Sequence, residues 1–179
     1  MRPLRLFVLL VTFVSWAALP ATAHGPTPKK VIETIEIEAP PADVWAIAKN
    51  FENIADWHPL VTKSVGNSGN VVGEKREVTL KSGGVLLDKL DEYSDEDMSI
   101  DYLLAKENVE AFPVSFYSVT LRVKPGQGSG SEVEWIGRVY RADTSNAPPE
   151  GKDNAAAIAA MKEFVDEGLK GLKAKAEAK

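Results

Sequence analysis

The chain has 179 residues, no cysteine, two histidines and a formal net charge of −5. Without cysteine it has no disulfide, no thiol catalysis, no zinc–thiolate or iron–sulfur site and no covalently attached haem. The acidic balance argues against nucleic acid as a partner, because that binding depends on neutralising phosphates with Lys and Arg. Two histidines are too few for most transition-metal sites, so we expect no metal and no other cofactor.

The first 23 residues have the pattern of a cleaved secretory signal. Arg2 and Arg5 precede an apolar run from Leu6 to Leu19, and small residues follow at the spacing of a cleavage site. The run of about 14 residues is short for a bilayer span, so a retained membrane anchor is the weaker alternative. We predict cleavage after Ala23, a periplasmic mature protein whose net charge becomes −7 without the two arginines, and no stable membrane anchor.

The mature chain begins with a predicted extended lead-in over residues 24–30, followed by one domain over residues 31–176. Val31–Glu38 alternates as a strand does, and Pro40 and Pro41 end it. Pro41 suits the first turn of a helix, and apolar residues then recur at helical spacing as far as Phe51. A short second helical turn is predicted to end before Pro59.

Six further strand-like segments follow, separated by turns rich in Gly, Asn, Ser and Asp. They are Leu60–Val65, Glu74–Leu80, Val85–Tyr93, Met98–Ala105, Val114–Val123 and Glu132–Arg141. Their short connections predict an antiparallel sheet.

A long amphipathic helix, roughly residues 152–174, closes the chain. Its apolar stripe consists of Ile158, Met161, Val165, Leu169 and Leu172. Gly168 and Gly171 interrupt the stripe, which indicates that the helix needs small residues where it crosses the sheet. One helix covers seven strands only if the sheet curves, so we expect a curved sheet that grips this helix.

A set of short motifs occurs in a fixed order along the mature chain. The motifs are Ile37-Glu38-Ala39-Pro40, Val44-Trp45, Asn50-Phe51, Trp57-His58-Pro59, Gly73-Glu74-Lys75-Arg76, Gly83-Gly84, Tyr102 and Val133-Glu134-Trp135. Together with the element order, they resemble the START-like superfamily, also called SRPBCC or polyketide cyclase/dehydrase-like. The resemblance implies an α+β helix-grip (START-like) fold, with a curved seven-stranded antiparallel sheet around a long C-terminal helix and a cavity between them.

Arg76 is the first candidate site residue, because it shares a strand face with the apolar Val78 and Leu80. A three-residue loop, with Gly83 at a positive φ, would pair Arg76 with Asp88 and Val78 with Leu86. The pattern fits a structural ion pair and also fits an anchor for an anionic or carbonyl group in an apolar pocket. The superfamily often has Glu at the position of Asp88, so no acid role is carried over.

The other candidates for the cavity wall are Trp57, His58, Ile100, Tyr102, Tyr117, Trp135, Met161 and Val165. The tyrosines and Trp135 carry polar groups on apolar bodies, which suits ligand orientation as well as core packing. A lone histidine between a helix and a strand is more often a surface residue than a site for proton transfer. We recognise no nucleophile with a base and an orienting group, and we assign no catalytic residue.

Within the superfamily, the exported leader, the mature start His24-Gly25-Pro26 and the lack of cysteine are most similar to periplasmic accessory proteins of methanol oxidation. This resemblance implies a non-enzymatic role that promotes the encounter of methanol dehydrogenase with its cytochrome acceptor. An acidic run from Asp88 to Asp101 suits either docking or a solvated hairpin. The alternatives are a carrier of a lipid or other hydrophobic small molecule, and a cyclase or dehydratase-like enzyme that uses Arg76, Asp88, Tyr102 or His58.

Overall fold

The computed structural model describes residues 26–67 and 69–178. The predicted signal segment and its cleavage site lie outside the described residues. In chain order the elements are β1 (Lys29–Ile37), α1 (Pro41–Ala48), a 3₁₀ helix (Phe51–Asp56), β2 (Val61–Gly66), β3 (Lys75–Leu80), β4 (Val85–Ser94), β5 (Ser99–Lys106), β6 (Val114–Pro125), β7 (Ser131–Arg141) and α2 (Asn154–Glu177).

The seven strands form one antiparallel sheet in the order β1-β7-β6-β5-β4-β3-β2. Helix α2 packs against β1 and β7, and α1 packs against α2. The predicted α+β helix-grip fold, a curved sheet around the C-terminal helix, is confirmed. Among the described residues no helix combines the length and the apolarity needed to cross a bilayer.

The hairpin between β3 and β4 has the predicted register. Arg76 pairs with Asp88 and Val78 pairs with Leu86. The amide of Leu80 bonds to the carbonyl of Gly84 across a three-residue loop, in which Gly83 has a φ of +97°. A positive φ at this position is accessible to glycine without strain, which is why the loop fixes the register.

The glycines of α2 lie where the helix crosses the other elements, as predicted. A Cβ on Gly168 would overlap the Trp135 ring and would lie 2.8 Å from Nε2 of His58. A Cβ on Gly171 would lie 2.6 Å from Cδ of Pro59. The absence of a side chain at these two glycines therefore allows a close approach of the helix to the core. Each glycine costs about 1 kcal/mol in helix propensity relative to alanine.

The apolar stripe of α2 differs from the prediction at one position. Ile158 is exposed, whereas Met161, Val165, Leu169 and Leu172 are buried. Ala157 and Phe164 are buried in addition, because the face that meets the sheet is rotated slightly from the predicted stripe. The helix begins after Asp153, whose carboxylate accepts a hydrogen bond of 2.9 Å from the amide of Ala156.

Candidate functional site

A buried ion pair occupies the inner face of the sheet. Nε of Arg76 donates to Oδ2 of Asp88 at 2.9 Å, and both side chains are almost fully buried. Tyr117 donates its hydroxyl proton to Oδ1 of Asp88, and Nη1 of Arg76 donates to the carbonyl oxygen of Phe51. These bonds satisfy most of the polar atoms of the pair, as a structural ion pair requires.

Two aromatic rings contact the guanidinium of Arg76. Its Cζ lies 4.2 Å from the ring centroid of Phe51 and 4.5 Å from that of Tyr102. Such contacts stabilise a cation that has lost its water. Burial raises the pKa of the Asp88 carboxyl, while the charge of Arg76 and the hydroxyl of Tyr117 act in the opposite direction.

His58 is buried, so the expectation of a surface histidine is wrong. Its Nε2 lies 3.0 Å from the carbonyl oxygen of Phe164, and its Nδ1 accepts the amide proton of Leu60 at 3.2 Å. This pattern assigns the ring proton to Nε2. Burial lowers the pKa of His58 to about 4. His58 is therefore neutral near pH 7 and ties α2 to the segment before β2.

In the described part of the chain, two small voids of about 10 Å³ each lie in the grip, the space between the curved sheet and the helices. The first void is lined by Leu86, Tyr102, Phe112, Tyr117, Val119, Met161 and Phe164. The second void is lined by Ala48, Asn50, Ile54, Trp57, Arg76, Ile100, Tyr102, Leu121 and Trp135. Tyr102 lines both voids, so its side chain lies between them. The described residues thus do not form the expected continuous cavity between helix and sheet; their side chains pack the interior and leave only these two small voids.

A larger cleft of about 250 Å³ opens at one end of the grip. It is lined by Leu60, Leu80, Ser82, Ala111, Phe112, Pro113, Ala160, Glu163 and Phe164. Phe112 and Phe164 also line the first void, and their ring centroids are 6.0 Å apart at 70°. These two rings therefore separate the cleft from the interior.

The structure places all of the predicted site residues in the interior. Eight of them line a void: Trp57, Arg76, Leu86, Ile100, Tyr102, Tyr117, Trp135 and Met161. The other four, His58, Val78, Asp88 and Val165, are buried beside them. None of the twelve lines the cleft.

The sequence interpretation missed Phe112 and Phe164, the two residues that lie between the cleft and the interior. Phe164 stands three residues after Met161 and four before Gly168, so the helical spacing could have identified it. Phe112 lies in the connection between β5 and β6, where no periodicity distinguishes an inward residue.

In the described ranges no group of three or more His, Asp or Glu side chains is arranged to hold a metal ion.

Comparison with protein families gives one match over most of the chain. Residues 28–177 match the family model described as polyketide cyclase / dehydrase and lipid transport. A comparison with curated proteins gave no match.

Several solved structures share the fold. XoxI from Bacillus cereus is 25% identical, with a TM-score of 0.68, and the match covers 82% of this chain and 94% of that one. A protein from Nitrosospira multiformis is 24% identical, with a TM-score of 0.68 and coverage of 84% and 97%. Ara h 8.0201 is 15% identical, with a TM-score of 0.64 and coverage of 85% and 99%. These likenesses agree with the helix-grip architecture.

Proposed function

We propose a binding function for this chain, which belongs to the polyketide cyclase/dehydrase and lipid transport family. It is an exported, non-enzymatic protein that takes up a small and largely apolar molecule inside its grip. The observation that carries the proposal is the cleft of about 250 Å³, whose floor of Phe112 and Phe164 also lines the first internal void. The volume of the cleft lies just below the usual range for small-molecule sites, about 300–1,000 Å³.

Entry into the interior requires that the ring of Phe112 separate from that of Phe164, with no movement of the sheet. Phe112 lies in the connection between β5 and β6, which has turns and little regular structure. Such segments open at a lower free-energy cost than the strands they join. A rotation of Phe112 away from Phe164 joins the cleft to the void beside Tyr102 and Tyr117, and a ligand then fills the enlarged space.

The polar groups of the interior support binding rather than acid–base chemistry. Both ring nitrogens of His58 contact backbone groups, and its pKa of about 4 keeps it neutral. Burial and the neighbouring Asp88 raise the pKa of Tyr117 well above its usual value. Asp88 is engaged by both Arg76 and Tyr117. The contacts of these groups stabilise the fold. A general acid or base, in contrast, needs a proton that it can exchange near the working pH.

A neutral fluorescent probe, N-phenyl-1-naphthylamine, tests whether the cleft is part of the binding site. We expect one probe per protein, and we expect Phe112→Trp to weaken binding at least about tenfold by narrowing the cleft. Phe116→Trp is the matched control, because Phe116 is exposed on the outer face of β6. Equal affinity for the wild type and the Phe112 variant would refute binding of the probe in the cleft. Native mass spectrometry of the protein from its own periplasm would identify a copurified ligand.

A role as an accessory protein of methanol oxidation is the second candidate. The sequence resembles the periplasmic protein of that function called MxaD, and the β4–β5 hairpin exposes five acidic residues: Asp91, Glu92, Asp95, Glu96 and Asp97. An exposed acidic hairpin supports attraction to a basic protein surface. In this proposal the chain promotes electron transfer from methanol dehydrogenase to its cytochrome acceptor in the periplasm.

Stopped-flow kinetics of cytochrome reduction tests the accessory role. The chain should accelerate the transfer at low salt, and the effect should decline as salt screens the charges. Neutralising Glu92 and Glu96 to Gln should reduce the acceleration, whereas the same change at Glu107 and Glu110 is the control. A transfer rate that does not depend on the chain at any salt concentration excludes this function.

A further inference from the structure

Four of the residues around the second void carry a buried polar atom without a hydrogen-bond partner. The atoms are Nε1 of Trp57, Nη2 of Arg76, the hydroxyl of Tyr102 and Nε1 of Trp135. Seven buried side-chain atoms of the described residues have this property, so more than half belong to residues around one space. An unpaired buried polar group costs about 1–3 kcal/mol, and native proteins rarely leave several together.

These atoms can satisfy one another only in part, because three of the four are donors only and the single phenol oxygen cannot accept from all of them. An indole N–H and a guanidinium N–H have no lone pair to offer, and a phenol both donates and accepts. Nη2 of Arg76 is 2.9 Å from Oδ2 of Asp88, but the two are not aligned for a hydrogen bond. Burial raises the pKa of Tyr102, while Arg76 and the indole of Trp135 oppose this effect, which places both donors near the hydroxyl. The cluster therefore requires an acceptor from outside.

Charge and volume restrict the kind of acceptor. Asp88 already balances the charge of Arg76, so a further anion would be buried without a counter-ion and would face the Asp88 carboxylate. The void of about 10 Å³ holds a single small group, about the size of one water molecule. A neutral oxygen with free lone pairs fits both limits, and a carboxylate with two charged oxygens does not.

We propose that the second void is the recess for a neutral carbonyl oxygen of the ligand, as in a ketone, an aldehyde or an ester. The inference rests on the proposed binding function and adds the chemical class of the ligand. The apolar remainder of such a molecule extends past Tyr102 toward Phe112, since Tyr102 lines both voids. The indole N–H of Trp57 and the hydroxyl of Tyr102 donate to the two lone pairs of this oxygen, while Arg76 and the indole of Trp135 lie beside the Tyr102 hydroxyl.

Three ligands of similar shape separate the possibilities: toluene, acetophenone and benzoate. The readout is the indole N–H region of a ¹H–¹⁵N spectrum of ¹⁵N-labelled protein. We expect acetophenone to shift the signals of Trp57 and Trp135 and to bind at least about tenfold more tightly than toluene or benzoate. The indole of Trp45 donates to Asp95 at 2.7 Å and serves as the internal control that should not move.

Tyr102→Phe removes one hydroxyl and keeps the ring. It should weaken acetophenone by about two- to tenfold and leave toluene unchanged, whereas Tyr140→Phe on β7 should change neither. Failure of toluene and acetophenone alike to bind would remove the proposed function itself. Equal binding of the two, with unmoved indole signals, would overturn the carbonyl recess alone. Tighter binding of benzoate would show that the recess accepts an anion and would also overturn the inference.

Discussion

Acid should destabilise this protein through one buried side chain, His58. The variant His58→Gln isolates the effect, because glutamine offers a donor and an acceptor but has no proton equilibrium in this range. In the wild type, Nε2 of His58 faces the carbonyl of Phe164, and Nδ1 accepts from the amide of Leu60. Protonation of Nδ1 would replace that acceptor by a donor and place a charge in the core, beside the positive Arg76.

The pKa of His58 gives the magnitude and the sign. Its value is about 4 in the folded protein, because burial disfavours the charged ring, against 6.5 in the unfolded chain. The unfolded chain therefore binds a proton more readily, and the contribution of His58 to stability is fully present above pH 6.5. As the pH falls toward 4 this contribution is lost, by about 3 kcal/mol in total at about 1.4 kcal/mol per pH unit. Such a loss is a large part of the about 5–15 kcal/mol that stabilises a domain.

Urea unfolding at several values between about pH 7.5 and about pH 4 measures the effect. The comparison is the difference between the wild type and His58→Gln at each pH, so that the carboxylates and His24, common to both, cancel. The pKa of Asp88 is raised, and its titration therefore acts in the opposite direction in both proteins. The wild type should lose about 3 kcal/mol relative to the variant. Parallel curves for the two proteins would show that His58 titrates as an exposed residue and would refute its assignment to the core.

Three further substitutions test the packing of the same region. Gly168→Ala should destabilise by about 1–3 kcal/mol in urea unfolding, although alanine favours a helix, because its Cβ would overlap Trp135; increased stability would refute the close crossing. Asp88→Asn should cost about 3–5 kcal/mol by leaving Arg76 buried without a counter-ion, and the added change Arg76→Met should restore part of it; no recovery would argue against a compensated pair. Asp153→Ala should cost about 1 kcal/mol through the lost cap of α2, whereas Asn154→Ala should cost less; equal losses would contradict the capping role.

Local sequence patterns were sufficient to predict the β3–β4 hairpin, which carries the ion pair. Alternation put Arg76 and Val78 on one face of β3, and the glycine of the loop set the register that brings Asp88 opposite. The small residues at 168 and 171 likewise predicted a close crossing of the helix. Each of these features depends on neighbours within about one turn or one hairpin, which is the range over which sequence patterns are informative.

Contacts between distant segments could not be predicted in the same way. His58 lies 106 residues before Phe164, whose carbonyl oxygen contacts the buried imidazole. The pairing of Phe112 with Phe164 at the cleft depends on how an irregular connection folds back onto α2. A pattern along one element says which face is apolar, but it does not say what covers that face.

The sheet and the β5–β6 connection have different roles in how this fold would select a ligand. Three of the four polar residues of the recess lie on the sheet: Arg76 on β3, Tyr102 on β5 and Trp135 on β7. The fourth, Trp57, follows the 3₁₀ helix, and the T-shaped contact of Trp135 with Phe164 connects the recess to α2. Phe112 lies on a connection that can move without breaking the strand ladder. Specificity then depends on groups held in place before the ligand arrives, which lowers the ordering cost of binding. A substitution in the connection should therefore change the rate of entry more than the preference for a carbonyl, and one in the recess should do the reverse.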